Sequence, residues 1–169
     1  MALPEIELAF LKTPIGDLAV SSGPQGLVGV EFDVRDEAEV KRRLVRRVGQ
    51  VTIVRTMNSA AVALNAYFAG RVQALEGLKV APMGTPFQRQ VWAALRRIPP
   101  GKTWTYGQLA TSLGRPEATR AVGAANGDNP CAVVVPCHRV IGADGKLVGY
   151  GGGLERKRWL LQHEGAILL

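Results

Sequence analysis

Residues 105–130, TYGQLATSLGRPEATRAVGAANGDNP, decide the fold. Thr105 followed three residues later by Gln108 is a capping-box start, and Leu113-Gly114 closes the helix it opens. Arg115-Pro116 begins a second helix that runs to about Asn126, where Gly127-Asp128-Asn129-Pro130 breaks it. Two short helices joined by a tight glycine-containing turn predict a helix-turn-helix. Upstream, Thr85-Pro86-Phe87-Gln88 repeats the same capping logic with proline at the first helical position. It predicts a helix over 86–97 that buries Phe87, Val91, Ala94 and Leu95 and stops at Pro99-Pro100-Gly101. Downstream, Ala132–Val135 reads as a short buried extended run. The glycine-rich stretch 142–153 then leads into a final amphipathic helix, Leu154–His163, with Gly165 at its C-terminal cap. Residues 85–169 therefore read as a mostly α domain with a winged-helix-like helix-turn-helix.

The other half has a different grammar. Residues 6–11, 15–21 and 26–32 read as strands of a meander, separated by turn signals at 12–16 and 21–26. Residues 36–48 place Ala38, Val40, Leu44, Val45 and Val48 at near-helical spacing. Val51–Arg55 reads as another strand, and Asn58 or Ser59 caps an apolar helix that Gly70 closes. The expectation for 1–80 is a supporting α/β domain, a small antiparallel sheet with helices, joined by a connector at 71–84 to the domain at 85–169.

Composition narrows the class. With 47% hydrophobic residues over 169 positions, the chain can build a core. No apolar run approaches the roughly 20 residues of a membrane span. MALPEIELAF carries two acids and lacks the basic start of a signal peptide, so an intracellular, cytoplasmic protein with no membrane partner is expected. Two cysteines make no disulfide framework. The net charge of +7 is unevenly held: residues 1–84 have ten basic and nine acidic side chains, residues 85–169 eleven and five. A basic field confined to one half is the footprint of a polyanion partner.

Three of the four cysteines and histidines fall within eight residues: Cys131, Cys137 and His138. If 131–137 is extended, the two cysteine α-carbons lie roughly 20 Å apart, too far for one metal ion or a disulfide. A nucleophilic cysteine is the alternative, since a histidine base is the usual route to thiolate near neutral pH. On this dipeptide alone a buried structural cysteine is the favoured reading, because neighbours on a strand point to opposite faces.

The wider context is informative. Gly84-Thr85-Pro86-Phe87-Gln88, Thr105-Tyr106-Gly107, Thr119-Arg120-Ala121-Val122-Gly123, Asn129-Pro130, Pro136-Cys137-His138-Arg139-Val140, Gly149-Tyr150-Gly151-Gly152 and His163-Glu164-Gly165 follow in order. Together this pattern resembles the O6-alkylguanine-DNA alkyltransferases over about residues 85–166; the N-terminal half matches only loosely. The resemblance implies a self-inactivating methyltransferase that repairs double-stranded DNA carrying O6-alkylguanine by moving the alkyl group irreversibly onto its own cysteine. It implies no cofactor, and a monomer with cooperative assembly on DNA left open. Cys137 matches the acceptor. His138 is implied as the base, oriented by Glu164 in a relay that reaches the thiol through water, with Asn129 as the hinge of the turn and Tyr106 as the proton donor to the departing guanine.

Tyr150 and the backbone of Gly151 match the pocket wall, and the carbonyls of Cys137 and Val140 match acceptors for the exocyclic amine. The base would have to be flipped out of the duplex. Arg120 matches the arginine that fills the vacated stack, on a helix whose small Ala118, Ala121 and Gly123, with Thr119, would lie in the minor groove. Lys102, Arg115 and the run Arg156-Lys157-Arg158 are generic phosphate candidates. Two other readings compete: a recognition-only alkyltransferase-like module, which would lack the acceptor cysteine, and a plain helix-turn-helix regulator, which would leave Cys137 and Glu164 unexplained. Some relatives carry zinc in the N-terminal domain. With no Cys or His before position 131, this chain has no ligands for such a site.

Overall fold

The computed structural model describes residues 2–167. The chain divides into two compact units that meet between Met83 and Gly84.

In the first unit, β1 (Glu5–Thr13), β2 (Gly16–Gly23) and β3 (Gly26–Phe32) form the meander. Helix α1 (Glu37–Val48) then crosses to β4 (Thr52–Arg55), giving a sheet of order β3-β2-β1-β4. The sheet is mixed, not antiparallel as expected: β4 runs parallel to β1, with Ile6 opposite Ile53. A helical crossover returns the chain in the same direction, which a hairpin cannot do. Helix α1 is capped by Asp36, whose carboxylate accepts from the Ala38 N–H. It lays Val40 and Leu44 into a core with Ile6, Leu8, Ala19, Val28, Val34 and Val51. Asn58 caps α2 (Ser59–Phe68) and also ties it to the sheet. Its Oδ1 accepts from Ala61 N at 2.9 Å, while Nδ2 donates to the Glu7 and Val20 carbonyls at 2.9 and 3.1 Å. The end of the expected connector is itself part of this unit. Leu27 N donates to Lys79 O at 2.9 Å and Ala81 N to Leu27 O at 2.8 Å, so 79–81 runs along the outer edge of β3. Gly26 permits this approach: at φ 136°, a β-carbon there would stand 2.8 Å from the Lys79 oxygen.

The second unit holds α3 (Pro86–Leu95), β5 (Trp104–Thr105), α4 (Tyr106–Ser112), a 3₁₀ turn (Pro116–Ala118), α5 (Thr119–Gly127), a second 3₁₀ turn (Cys137–Arg139), β6 (Val140–Ile141) and α6 (Leu154–His163). Both capping boxes are closed, Thr85 with Gln88 and Thr105 with Gln108. Helix α3 ends two residues before the expected Arg97. Phe87 is only half-buried, under the Arg115 guanidinium 5.6 Å above its ring, while the fully packed aromatic is Trp92. The Trp92 indole donates to the Ala125 carbonyl at 2.8 Å, joining α3 to α5. Gly84 must be glycine for the same ring, since its β-carbon would fall 2.5 Å from Trp92 Cη2. The helix-turn-helix is α4 and α5, with the Pro116 segment wound as 3₁₀ before α5 begins at Thr119. Strands β5 and β6 pair in parallel, Trp104 opposite Val140.

The largest departure from the sequence reading is 131–137. This segment is not extended: Val135 N reaches back to Cys131 O at 2.9 Å, and Val133 takes φ 69°. The separation of roughly 20 Å expected for an extended chain therefore does not hold. A valine in the left-handed region costs on the order of 1–3 kcal/mol, offset here by complete burial and by the Asn129 side chain, which bonds both Cys131 and Val135.

Candidate active site

Asn129 follows the end of α5, and its carboxamide holds the turn closed. Oδ1 accepts from Cys131 N at 2.9 Å; Nδ2 donates to Val135 O at 2.8 Å and to Cys137 Sγ at 3.2 Å. One side chain thus shapes the acceptor segment and touches its sulfur. Cys137 is 9% exposed, at the start of a 3₁₀ turn after Pro136. Successive side chains in 3₁₀ geometry step by about a third of a turn, so Cys137 and His138 are not on opposite faces as in a strand. Burial pushes the Cys137 thiol up; the Asn129 amide, the Lys157 charge and the backbone N–H pull it back only in part. At rest the group is a thiol, and a base is needed to ionise it.

His138 is fully buried, and its Nε2 lies 2.9 Å from Glu164 Oε2. Burial lowers the imidazole pKa against the pull of Glu164, which favours the neutral ring with Nε2–H donating to the carboxylate. That tautomer leaves Nδ1 as an acceptor; it is buried and has no hydrogen-bond partner among the described residues. Glu164, just past the end of α6, is shared. Arg139 Nε donates to Oε1 at 2.8 Å and Nη2 to Oε2 at 2.9 Å, while Nη1 donates to the Ile98 carbonyl at 2.6 Å. Burial would raise the Glu164 carboxyl, but His138 and the paired Arg139 hold it far below the usual carboxylate range. The motif around Cys137 assigns Arg139 no role. Its signal was the pairing of a basic residue beside His138 with an acid 25 positions on.

Tyr106, at the start of α4, donates its O–H to the Val148 carbonyl at 3.4 Å. Burial first, and Cys137 second, raise its pKa, while a hydrogen bond with the buried Asn126 opposes them. The phenol therefore keeps its proton at neutral pH. Asn126 is a second residue the sequence reading passed over; its place one turn before Asn129, facing back toward α4, was the available signal.

Val140 is buried, and its carbonyl already accepts Lys157 Nζ at 2.6 Å, while the Cys137 carbonyl takes the Val140 N–H. An incoming amine would use the second lone pair of each oxygen. Tyr150 is half-buried with its phenol pKa pushed well up by burial and Cys137; Gly151 beside it is open on its α-carbon face. Lys157 is not a surface phosphate ligand: it is fully buried, whereas Arg156 is half-buried and Arg158 exposed. Three consecutive like charges on α6 hid which one points inward.

Arg120, Thr119 and Ala121 are exposed on α5, and Ala118 is half-buried before it. Gly123 is half-buried against the Tyr106 ring, where a β-carbon would sit in ordinary contact 3.7 Å from Cδ1, so this packing does not itself require glycine. The structure thus brings together Asn129, Cys137, His138, Glu164, Tyr106, Val140 and Tyr150, and sets Thr119, Arg120 and Ala121 on an exposed face of α5, with Gly123 of the same helix against Tyr106. No cluster of three His, Cys, Asp or Glu side chains suited to a metal occurs among the described residues, and no described helix is long and apolar enough to cross a membrane.

Comparison with known proteins gives two family models that tile the chain. Residues 86–166 match the 6-O-methylguanine DNA methyltransferase DNA-binding domain, and residues 6–82 match its ribonuclease-like domain. The methylated-DNA–protein-cysteine methyltransferase of Salmonella typhimurium is 49% identical, over 94% of this chain and 95% of its own length. That of Methanosarcina acetivorans is 44% identical, over 94% and 97%. Among solved structures, the Mycobacterium tuberculosis O6-methylguanine methyltransferase superposes with TM-score 0.77 at 40% identity, covering 95% of this chain and 93% of that one. The OGT of the same organism in complex with DNA gives 0.78 at 41%, with the same coverage. On these matches across both units, the chain belongs to the O6-alkylguanine-DNA alkyltransferase family.

Proposed function

We propose that this protein repairs O6-alkylguanine in double-stranded DNA by transferring the alkyl group to Cys137, each molecule acting once. The observation that carries this reading is the buried sequence of contacts around the sulfur: Asn129 on Sγ, and beside it a neutral His138 whose second nitrogen is fixed by Glu164. His138 Nδ1 takes the thiol proton through a bridging water. The thiolate attacks the alkyl carbon, a new S–C bond forms, and the C–O6 bond breaks with its electron pair left on the guanine. Tyr106 gives its proton to the guanine, which leaves neutral; solvent then returns the His138 proton to Tyr106. Thiol and substrate account for every atom, so the step draws on no cofactor.

The depth of Cys137 requires the nucleotide to leave the duplex, at a cost of about a few kcal/mol. Arg120, Thr119 and Ala121 on the exposed side of α5 serve as the surface that enters the minor groove, Arg120 filling the gap in the stack, with Ala118 and Gly123 supporting it. Val140, Tyr150 and Gly151 form the base pocket. On this reading 85–169 is the DNA-binding and catalytic domain, 1–80 supports it, and the protein works as a monomer on DNA in the cytoplasm.

The test is peptide mass spectrometry after incubation with a duplex containing one O6-methylguanine. One methyl group on the Cys137 peptide, absent in Cys137→Ser, is the expected result. Methylation of Cys131 instead would overturn the site assignment, and selective binding without mass change would make the protein a recognition module.

A further inference from the structure

Lys157 is a buried ammonium with no carboxylate within ion-pair reach among the described residues. Its Nζ instead meets three carbonyls: Val140 at 2.6 Å, Val148 at 2.8 Å and Gly149 at 3.2 Å. Three N–H donors match three oxygens only when the group is protonated. A neutral amine has two N–H bonds and a lone pair, which would be turned toward an oxygen. The three acceptors belong to different parts of the site. Val140 is three residues past Cys137, whereas Val148 and Gly149 immediately precede Tyr150 and Gly151. The Val148 oxygen is also the one that Tyr106 donates to. One charge therefore joins the acceptor segment, the base-pocket loop and the anchor of the proton donor.

Resting on the reading of Cys137 as acceptor, we propose that protonated Lys157 is a positioning residue for alkyl transfer: it clamps the Tyr150–Gly151 loop to the segment after Cys137 and favours the thiolate by its charge. Loss of the Lys157 proton then gives the reaction a falling limb at alkaline pH, against the rising limb of thiol ionisation. The other groups facing this centre are Cys137 and His138 from the 3₁₀ turn, Tyr106 from α4, Tyr150 from the loop, Arg156 on α6 itself, and Glu164 with Arg139 beyond His138. Burial brings the Lys157 pKa down to about 8, with Cys137 pulling the other way, so the limb falls in an accessible range. Tyr106 and Tyr150 are both displaced upward and keep their protons through it.

The experiment measures two things from pH 6 to 10 on the intact protein, Lys157→Met and Lys157→Arg. One is capture of the Cys137 thiol by iodoacetamide, read by peptide mass spectrometry without DNA. The other is single-turnover methyl transfer from an O6-methylguanine duplex. Lys157→Met should move Cys137 capture upward by about one pH unit, roughly tenfold less capture at pH 7. A guanidinium stays charged throughout this range, so Lys157→Arg should hold the capture profile and lose the alkaline limb of transfer. Superimposable capture profiles for the wild type and Lys157→Met would overturn the proposal, since a merely structural lysine changes the amount of folded protein and not the thiol's titration. Should Lys157→Met not fold, an unchanged alkaline limb in Lys157→Arg overturns it equally. Failure of the wild type to transfer methyl would sink the acceptor reading, while the capture profiles would still decide the Lys157–Cys137 coupling.

Discussion

Replacing Glu164 with glutamine removes one negative charge and changes almost no volume. The carboxylate is fully buried and takes two N–H bonds from Arg139, itself 7% exposed at the side chain, and one from His138. Leaving a buried guanidinium without its counter-charge costs about 3–5 kcal/mol. The amide oxygen still accepts one hydrogen bond, worth about 1 kcal/mol, so the expected loss is about 3 kcal/mol. All three tryptophans, at 92, 104 and 159, lie after Gly84, so tryptophan fluorescence in urea reports the C-terminal unit alone. At about 2 kcal/mol/M the midpoint should fall by about 1.5 M. The pH dependence has a definite sign. A carboxylate whose folded pKa is depressed adds stability that is fully present above the unfolded value near 4.5 and is lost as pH falls toward the folded one. The wild type should therefore weaken steadily below pH about 4.5 by an increment that Glu164→Gln lacks. Midpoints that differ by less than about 0.3 M at pH 7, or acid curves that run parallel, would refute the idea that this pair carries its charge buried.

Asn129→Ala removes the contact to Sγ, leaves the Cys131 N–H without its partner and leaves the Val135 carbonyl with only the Cys137 N–H, so iodoacetamide capture of Cys137 at pH 7 should slow by about tenfold and urea stability should drop by about 2 kcal/mol. Arg120→Ala should slow methyl transfer from duplex by about tenfold or more while leaving Cys137 capture in the absence of DNA unchanged; equal effects on both would place Arg120 in the fold and not at the DNA. Thr105→Ala opens the capping box of α4 and should cost about 1 kcal/mol by urea unfolding, with Thr105→Ser restoring most of it.

The elements legible in the sequence are those fixed by neighbours a few positions away. Helix α6 runs over the expected 154–163, and the cap at Asn58 and both Thr-x-x-Gln starts are where local chemistry puts them. What escaped depends on distant partners. The direction of β4 is set by its crossover and its pairing to β1, neither of which leaves a mark on Thr52–Arg55 itself. The run Ala132–Val135 has the β-branched composition of a strand, and it turns because the Asn129 carboxamide pulls both its ends together. Cys137, His138 and Glu164 could be named only through the family pattern; their spacing alone left a structural cysteine open. Lys157 sits in a run of three basic residues, and only the backbone carbonyls it meets 8, 9 and 17 positions away distinguish it from Arg156 and Arg158.

The pairing of 79–81 with β3 has a consequence for the N-terminal unit taken alone. Without it, the Leu27 N–H and C=O would join the edge of a strand whose side chains, Leu27, Val28 and Val30, are strongly apolar. Such an edge recruits other strands. Residues 79–81 thus cover the Leu27 end of this edge, and a fragment cut at Gly70 should self-associate more readily than one ending at Met83. The tether between the units is shorter than its composition suggests, because residues 79–81 are already held against β3.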